Sequence, residues 1–365
     1  KMLYRGADIL VLDEPTAVLT PQEVEELFAT LRRMAGEGQG VIFISHKLDE
    51  VMSISDRVTV LRHSKVVASV NTAETNKEEL ARMMVGREVL FQVEKKSVEL
   101  GGVVLKVEGL RALNDKGLPA LKDISFTIQE GEILGIAGVA GNGQRELAEV
   151  ITGLRKATGG CVTISECDTT NCSPGEVIRQ QVSHVPEDRL GMGLVPDLAV
   201  SDNLILKGYR EPPLAKGPFL DRFSIRNFVA RLIEAFNIAT PTQETPVRLL
   251  SGGNLQRTIL AREISIGPRL MVAVHPTRGL DIGATESVRN LLLEQRENGA
   301  AILLISEDLE ELLALSDRIA VIYEGEIMGI VPAEGADIEE IGLMMAGAKR
   351  NKSQSQISVK NPKQK

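Results

Sequence analysis

Leu250-Ser251-Gly252-Gly253-Asn254-Leu255-Gln256-Arg257 is the stretch whose reading decides the fold. A serine and two glycines stand ahead of residues with helical spacing, Leu255, Ile259, Leu260, Ala261 and Ile264. The pattern predicts a tight turn feeding a helix N-terminus. Ser251 supplies a hydroxyl, the glycines let backbone N–H groups approach a ligand, and the helix dipole favours an anion there. Alone, such a turn is more often a plain helix cap. Its surroundings change the reading. Downstream, the apolar run Leu270 to Val274 reads as a buried strand, closed by His275-Pro276-Thr277 and Gly279-Leu280-Asp281. Upstream, strand-like Ile133 to Ile136 leads into the glycine loop Gly138-Val139-Ala140-Gly141-Asn142-Gly143 and a helical stretch at 144–153.

Part of this arrangement occurs twice. Pro15-Thr16 recurs as Pro276-Thr277, Ser45 as Ser306, and Leu48 as Leu309. Ser55-Asp56-Arg57 recurs as Ser316-Asp317-Arg318, and Met83-Met84 as Met344-Met345, all at an offset of 261. Residues 1–88 are therefore expected to be the last part of one copy, and 103–348 a second, nearly whole copy. Residues 89–102 would link them. At the same offset the first copy's glycine loop would fall before Lys1. About 150 to 160 residues are expected ahead of it, in a chain of roughly 500 to 530.

In the first copy, Ile9 to Leu12 and Val41 to Ile44 read as buried parallel strands around an amphipathic helix from Pro21 to Ala35. Alternation of this kind predicts an α/β fold with ligands at the carboxyl ends of the strands. The first strand ends in Asp13-Glu14 and the second in Ser45-His46. In the second copy, Val103 to Val107 and Ile124 to Ile128 read as further strands, and residues 197–249 as helix-prone around a proline-rich loop. Residues 349–365 hold six Lys or Arg and no acid, the composition of a disordered basic tail.

The composition narrows the function. With 365 residues, 43% apolar and 25% charged, the chain has material for two globular domains. A net charge of −8 argues against a nucleic-acid partner. No apolar run reaches the ~18–20 residues that span a bilayer, so a membrane role requires a partner. Cys161, Cys167 and Cys172 lack the paired short spacing of zinc ligands and read as reduced thiols.

The order of glycine loop, Leu-Ser-Gly-Gly signature, strand and aspartate turn resembles the ATP-binding cassette family. The resemblance implies P-loop nucleotide-binding domains with a mixed sheet core, an antiparallel β subdomain and an inserted helical subdomain at 197–249. It implies ATP and Mg²⁺ as cofactors. Asp13 would hold Mg²⁺ through water, Glu14 would orient or deprotonate the attacking water, and His46 would contact the terminal phosphate. Thr20 departs from the pattern, standing where the second copy has Asp281.

The second copy has lost the matching groups. Gly138, Gly141 and Gly143 remain in its phosphate loop, but Gln144 replaces the lysine and Arg145 the Ser/Thr of the usual motif. Gln144 cannot make the charge-assisted bond, worth roughly 1.5–3 kcal/mol. Val274, His275 and Glu307 stand where the first copy has Asp13, Glu14 and His46, and Glu187 where the family has a lid glutamine. No aromatic residue lies between Phe91 and Phe126 to stack on adenine. A catalytically silent second site is expected. Ser251, Gly252, Gly253, Asn254 and Asp281 are nonetheless kept. The family resemblance explains this by head-to-tail pairing, with Asp13, Glu14 and His46 sharing one working site with that signature.

Tandem copies with Gly-Val-Ala-Gly-Asn-Gly-Gln, Val-Pro-Glu-Asp-Arg and Pro-Thr-Arg-Gly-Leu-Asp look like the ATPase subunit of bacterial simple-sugar and nucleoside importers. This loop and Tyr323-Glu324-Gly325 are closer to the nucleoside branch than to the ribose or galactose branch. The resemblance implies two integral-membrane permease subunits, an external sugar- or nucleoside-binding protein, and a place at the cytoplasmic face of the plasma membrane. A soluble tandem translation factor would keep both phosphate loops, and a repair ATPase would carry Cys-x-x-C insertions. A silent interaction fragment fits the broken loop but not Asp13, Glu14 and His46. Residues 1–365 alone are expected to hydrolyse little ATP.

Overall fold

Runs of Val, Ile and Leu bounded by Asp, Ser and Gly favour short pleated segments, and both parts of the chain are built on them. The computed structural model describes residues 8–16, 21–45, 47–62, 65–85 and 95–351. The chain forms two compact units, residues 1–92 with 279–287 and residues 93–278 with 288–365.

In the first unit β1 (Ile9–Asp13) pairs in parallel with β2 (Gly40–Ile44), and α1 (Pro21–Gly36) connects them. Next come α2 (Leu48–Ile54), the antiparallel hairpin β3 (Arg57–Arg62) and β4 (Lys65–Asn71), and α3 (Lys77–Val85). Leu10, Phe28 and Leu31 form one small core, with the Phe28 and Phe43 rings edge to face at 5.7 Å. Leu48, Val60, Leu80 and Ala81 form another.

The expectation that β1 and β2 are buried on both faces needs correction. Ile9, Val11, Ile42 and Ile44 are 65, 59, 52 and 48% exposed. Leu10 and Phe43 belong to the core that α1 supplies, and the alternate residues face outward because side chains alternate along a strand.

The second unit opens with β5 (Val103–Leu113) and β6 (Pro119–Gln129), then β7 (Ile133–Ala137), α4 (Gln144–Ile151), β8 (Ala157–Ile164) and β9 (Cys167–Asp168). After α5 (Pro174–Arg179) and β10 (Val182–Val185) comes the insert. It holds α6 (Val200–Ile205), a two-stranded hairpin of β11 (Ala215–Lys216) and β12 (Phe219–Leu220), and α7 (Arg222–Ala235). The chain continues with α8 (Gly252–Ser265), β13 (Leu270–Val274), α9 (Ile282–Glu297), β14 (Ala301–Ser306) and α10 (Leu309–Leu315). It closes with β15 (Arg318–Tyr323), β16 (Glu326–Pro332) and α11 (Ile338–Met345).

A six-stranded sheet runs β10-β13-β14-β7-β15-β16, parallel except for the last pair, and a second, antiparallel sheet runs β6-β5-β8-β9. Every residue of β7, β13 and β14 is buried. The core between the sheets joins Leu105, Ile124 and Ile164 to Ile136, Leu147 and Leu303. This is the α/β architecture expected from the sequence: mixed sheet, antiparallel sheet and helical insert.

The elements β1, α1, α2, β3 and β4 have counterparts in β13, α9, α10, β15 and β16, whose first and last residues lie 261 positions on. Of the expected linker 89–102, residues 89–94 lie outside the described residues, as do 352–365 of the expected tail. Residues 95 and 96 are tied to the second unit. Lys95 pairs with Asp317 at 3.3 Å, Lys96 pairs with Glu297 at 2.8 Å, and Arg296 donates to the Lys96 carbonyl at 2.8 Å.

Candidate functional site

Strand β1 delivers two carboxylates to its carboxyl end. Asp13 and Glu14 are both exposed. Glu14 has φ 43°, a left-handed conformation that a residue with a Cβ adopts only when its surroundings hold it. One restraint is the bond from its N–H to the Ile44 carbonyl at the end of β2, 2.9 Å. His46 and Thr20 lie outside the described residues.

The second unit repeats this backbone with different chemistry. His275 has φ 46°, and its N–H donates to the Ile305 carbonyl at 2.8 Å. Burial lowers its imidazole pKa, against the opposing pull of Glu307 and Glu187, so the ring is neutral near pH 7. Val274, in the place of Asp13, is 6% exposed and has no ligand oxygen in its side chain. Glu187 pairs with Arg278.

The glycine loop 138–143 has the backbone of a phosphate cradle, and its own side chains fill it. Gln144 Nε2 donates to the Val139 carbonyl at 2.9 Å, and Gln144 Oε1 accepts from the Asn142 N–H at 3.1 Å. Asn142 Nδ2 donates to the same Val139 carbonyl at 2.9 Å, and its Oδ1 accepts from the Glu324 N–H at 2.7 Å. A Cβ on Gly138 would stand 2.7 Å from Gln144 Nε2, so the glycine makes room for the amide. Gly143 has φ +106°, and a Cβ there would stand 2.6 Å from the Ala120 carbonyl oxygen. Arg145 is bound to Glu149 at 2.7 Å and Asp115 at 3.4 Å, and Arg155 joins the same two acids at 2.7 and 2.5 Å. Sequence reasoning reached Gln144 and Arg145 but missed Asp115, Asn142, Glu149 and Arg155. The i, i+4 spacing of Arg145 and Glu149 was the available signal.

In this loop the Asn142 N–H already has an acceptor in Gln144 Oε1, and the Arg145 guanidinium stands where the usual motif has a metal-binding hydroxyl. Asp13 and Glu14 are exposed carboxylates, the chemistry that suits a hydrated metal ion.

The signature forms the start of α8. Ser251 is the N-cap and makes no side-chain cap bond. Its Oγ accepts from Asn254 Nδ2 at 2.9 Å, while Asn254 Oδ1 accepts from the Ala239 N–H at 2.9 Å. Ser251 and Gly252 are exposed, and the first N–H groups of a helix have no acceptor within it. Arg189 braces the turn, donating to Gln256 Oε1 at 2.7 Å and to the Arg278 carbonyl. Asp281 is exposed and accepts from the Ala284 N–H at 2.8 Å, a helix-capping bond. The structure thus assembles Gly138, Gly141, Gly143, Gln144 and Arg145 at one locus and Ser251 to Asn254 at another, with Asp13 and Glu14 on the first unit.

The family model "ABC transporter" matches residues 121–278. The glucose import ATP-binding protein TsgD13 of Haloferax volcanii is 49% identical over 95% of this chain, which covers 64% of that protein. The nucleoside import ATP-binding protein NupA of Lactococcus lactis is 43% identical over 96% of this chain, which covers 69% of that protein. The chain therefore spans about two thirds of these curated relatives, just under that in the first case. Among solved structures, an ATP-binding subunit of an ABC transporter superposes with a TM-score of 0.55 at 20% identity, over 67% of this chain and 99% of that one. That likeness speaks for the fold. Among the described residues no helix is long and apolar enough to cross a membrane.

Proposed function

Since the chain belongs to the ATP-binding cassette transporter family, we propose that it is the ATP-hydrolysing subunit of an importer for a simple sugar or a nucleoside. Residues 1–88 and 103–348 are read as parts of two cassettes in one chain. The first carries the hydrolytic groups, and the second carries a phosphate loop that no longer takes nucleotide. Its signature is kept to close on a nucleotide that a different loop holds.

The contrast between Glu14 and His275 carries this reading. Both occupy the same left-handed position with the same backbone bond, at 2.9 and 2.8 Å. One offers a carboxylate to a water proton, and the other offers a neutral ring beside an apolar Val274. When bound, Mg²⁺-ATP supplies the phosphoanhydride whose terminal phosphoryl group is transferred to water. Asp13 would hold the metal through water, Glu14 accepts the proton of the attacking water, and His46 is assigned to the terminal phosphate. Relatives named for glucose and for nucleoside import both support an importer, as against a translation or repair ATPase. Two permease subunits and an extracytoplasmic binding protein complete the proposed assembly, at the cytoplasmic face of the membrane.

The test is ATP turnover by the complete subunit assembled with its permeases. Glu14→Gln is expected to lower it by roughly 10²–10⁴-fold, the span of general-base catalysis. His275→Ala should stay within about twofold, since it removes no group that exchanges a proton with water. Loss of turnover in His275→Ala with an active Glu14→Gln would reverse the assignment.

A further inference from the structure

Glu14 is of catalytic use only if its left-handed turn is held in place, and the side chains around that turn form a clamp. The turn ends at Thr16, which is 2% exposed and lies under α2. There Thr16 Oγ1 donates to Glu50 Oε2 at 2.7 Å. The same oxygen accepts from Ser45 Oγ at 3.2 Å, at the end of β2. Ser45 Oγ in turn accepts from the Lys47 N–H at 3.1 Å, and Lys47 Nζ pairs with Glu50 Oε1 at 3.0 Å.

From this geometry we propose that Glu50 is a positioning residue for hydrolysis. Its carboxylate clamps the turn carrying Glu14 to the strand end that precedes His46. The proposal rests on the reading of Glu14 as the proton acceptor.

The second unit contains the same clamp without the chemistry. Glu311 accepts from Thr277 Oγ1 and from Ser306 Oγ, each at 2.6 Å, and Ser306 Oγ accepts from the Asp308 N–H at 3.1 Å. All three positions lie 261 residues beyond Thr16, Ser45 and Glu50. What this second clamp holds is His275, in the same left-handed turn. The two clamps differ in their charged neighbours, Arg289 near Glu311 standing where the first copy has Phe28. Lys47 places a cation beside Glu50, where Asp308 places an anion near Glu311. One oxygen of the Glu50 side chain, Oε2, accepts both hydroxyl donors. Without it, the buried Thr16 hydroxyl loses its acceptor, and the positive-φ residue two positions earlier loses its anchor.

The experiment compares Glu50→Ala, Glu50→Gln and Glu311→Ala in the complete subunit assembled with its permeases. Hydrogen exchange is measured in parallel at the Glu14 amide of the 365-residue chain. Glu50→Ala is expected to lower kcat by about 10- to 100-fold with KM for ATP within about threefold, the signature of a misplaced group rather than lost binding. Glu50→Gln keeps an acceptor for both hydroxyls and should recover most of the rate. Glu311→Ala should leave kcat within about twofold, although its own turn loosens. In exchange, Glu50→Ala should lose protection at Glu14 by at least about tenfold, and Glu50→Gln should keep it. Unchanged protection in Glu50→Ala overturns the clamp. A fully active Glu50→Ala beside an inactive Glu14→Gln overturns the positioning role. If Glu50→Ala loses protection and both it and Glu14→Gln turn over normally, the reading of Glu14 fails and takes the role of Glu50 with it.

Discussion

Gln144 and Arg145 show what a single side chain can do to a conserved-looking backbone. The sequence displays both departures from the lysine and hydroxyl pattern, but it does not display what takes the place of the phosphate. In the structure the Gln144 amide bridges the loop, one end on the Val139 carbonyl and the other on the Asn142 N–H. Arg145 is engaged by the carboxylates of Glu149 and Asp115. These contacts depend on which residues the fold brings to the loop, and Asp115 is thirty positions upstream. Spacing therefore pointed to loss of function without its physical form. The double variant Gln144→Lys, Arg145→Ser restores the motif and removes the bridging amide. Titration calorimetry with Mg²⁺-ATP should then find binding at least about tenfold tighter than for the wild-type chain, equivalent to one charge-assisted bond. Equal affinity in the two proteins would mean that the amide is displaced readily and does not close the loop.

Helix α8 joins two features, one legible in sequence and one hidden. Its N-terminal turn was readable from Leu-Ser-Gly-Gly and the spacing of Leu255 and Ile259. A Cβ on Gly252 would meet only Arg189 Nη1, at 3.6 Å. Gly252→Asp should therefore fold normally, with a melting temperature within a few degrees of wild type. It should nonetheless abolish turnover in the assembled transporter, because the carboxylate repels phosphate at a poorly screened site. A large drop in melting temperature would assign the effect to misfolding instead. The hidden feature is at the other end of the helix. Glu263 is fully buried, pairs with Lys207 and with Arg262 at 2.9 Å, and accepts the His184 N–H of β10 at 2.9 Å. A helical pattern of apolar residues gives no notice of a buried acid, since apart from Arg262 its partners come from β10 and from Lys207, just past the end of α6. Burial, opposed by Glu263 and reinforced by Lys207 and Arg262, pushes the pKa of His184 down to about 4. Between that value and the ~6.5 of an unfolded histidine, the unfolded chain binds the extra proton. Stability therefore falls as pH drops through this window. About 2 kcal/mol should be lost between pH 7 and pH 5, and His184→Gln should remove that slope in urea titrations of the chain at each pH. An unchanged slope in the variant would place the titration elsewhere.

At the scale of the whole molecule, the two units pose the same sequence problem and solve it differently. The apolar runs of β1 and β2 look as buried as those of β13 and β14, and the repeat at 261 residues gave every reason to treat them alike. Burial is not a property of a strand but of its neighbours. β14 is flanked by β13 and β7, and β13 by β10 and β14, with every side chain covered. Among the described residues β1 pairs with β2 alone, and Ile9, Val11, Ile42 and Ile44 are about half exposed or more. Covering a side chain of this size contributes roughly 1.5–3 kcal/mol, so these strands open at lower free energy than their counterparts. Hydrogen exchange followed by mass spectrometry on the 365-residue chain reads this directly. Peptides spanning 9–13 and 40–44 should show protection at least about tenfold lower than those spanning 270–274 and 301–306, since each 1.4 kcal/mol is one factor of ten. The comparison is internally controlled, because each pair has the same register and the same turn at its carboxyl end. Equal protection in the two pairs would show that the open face of β1 and β2 is covered in solution.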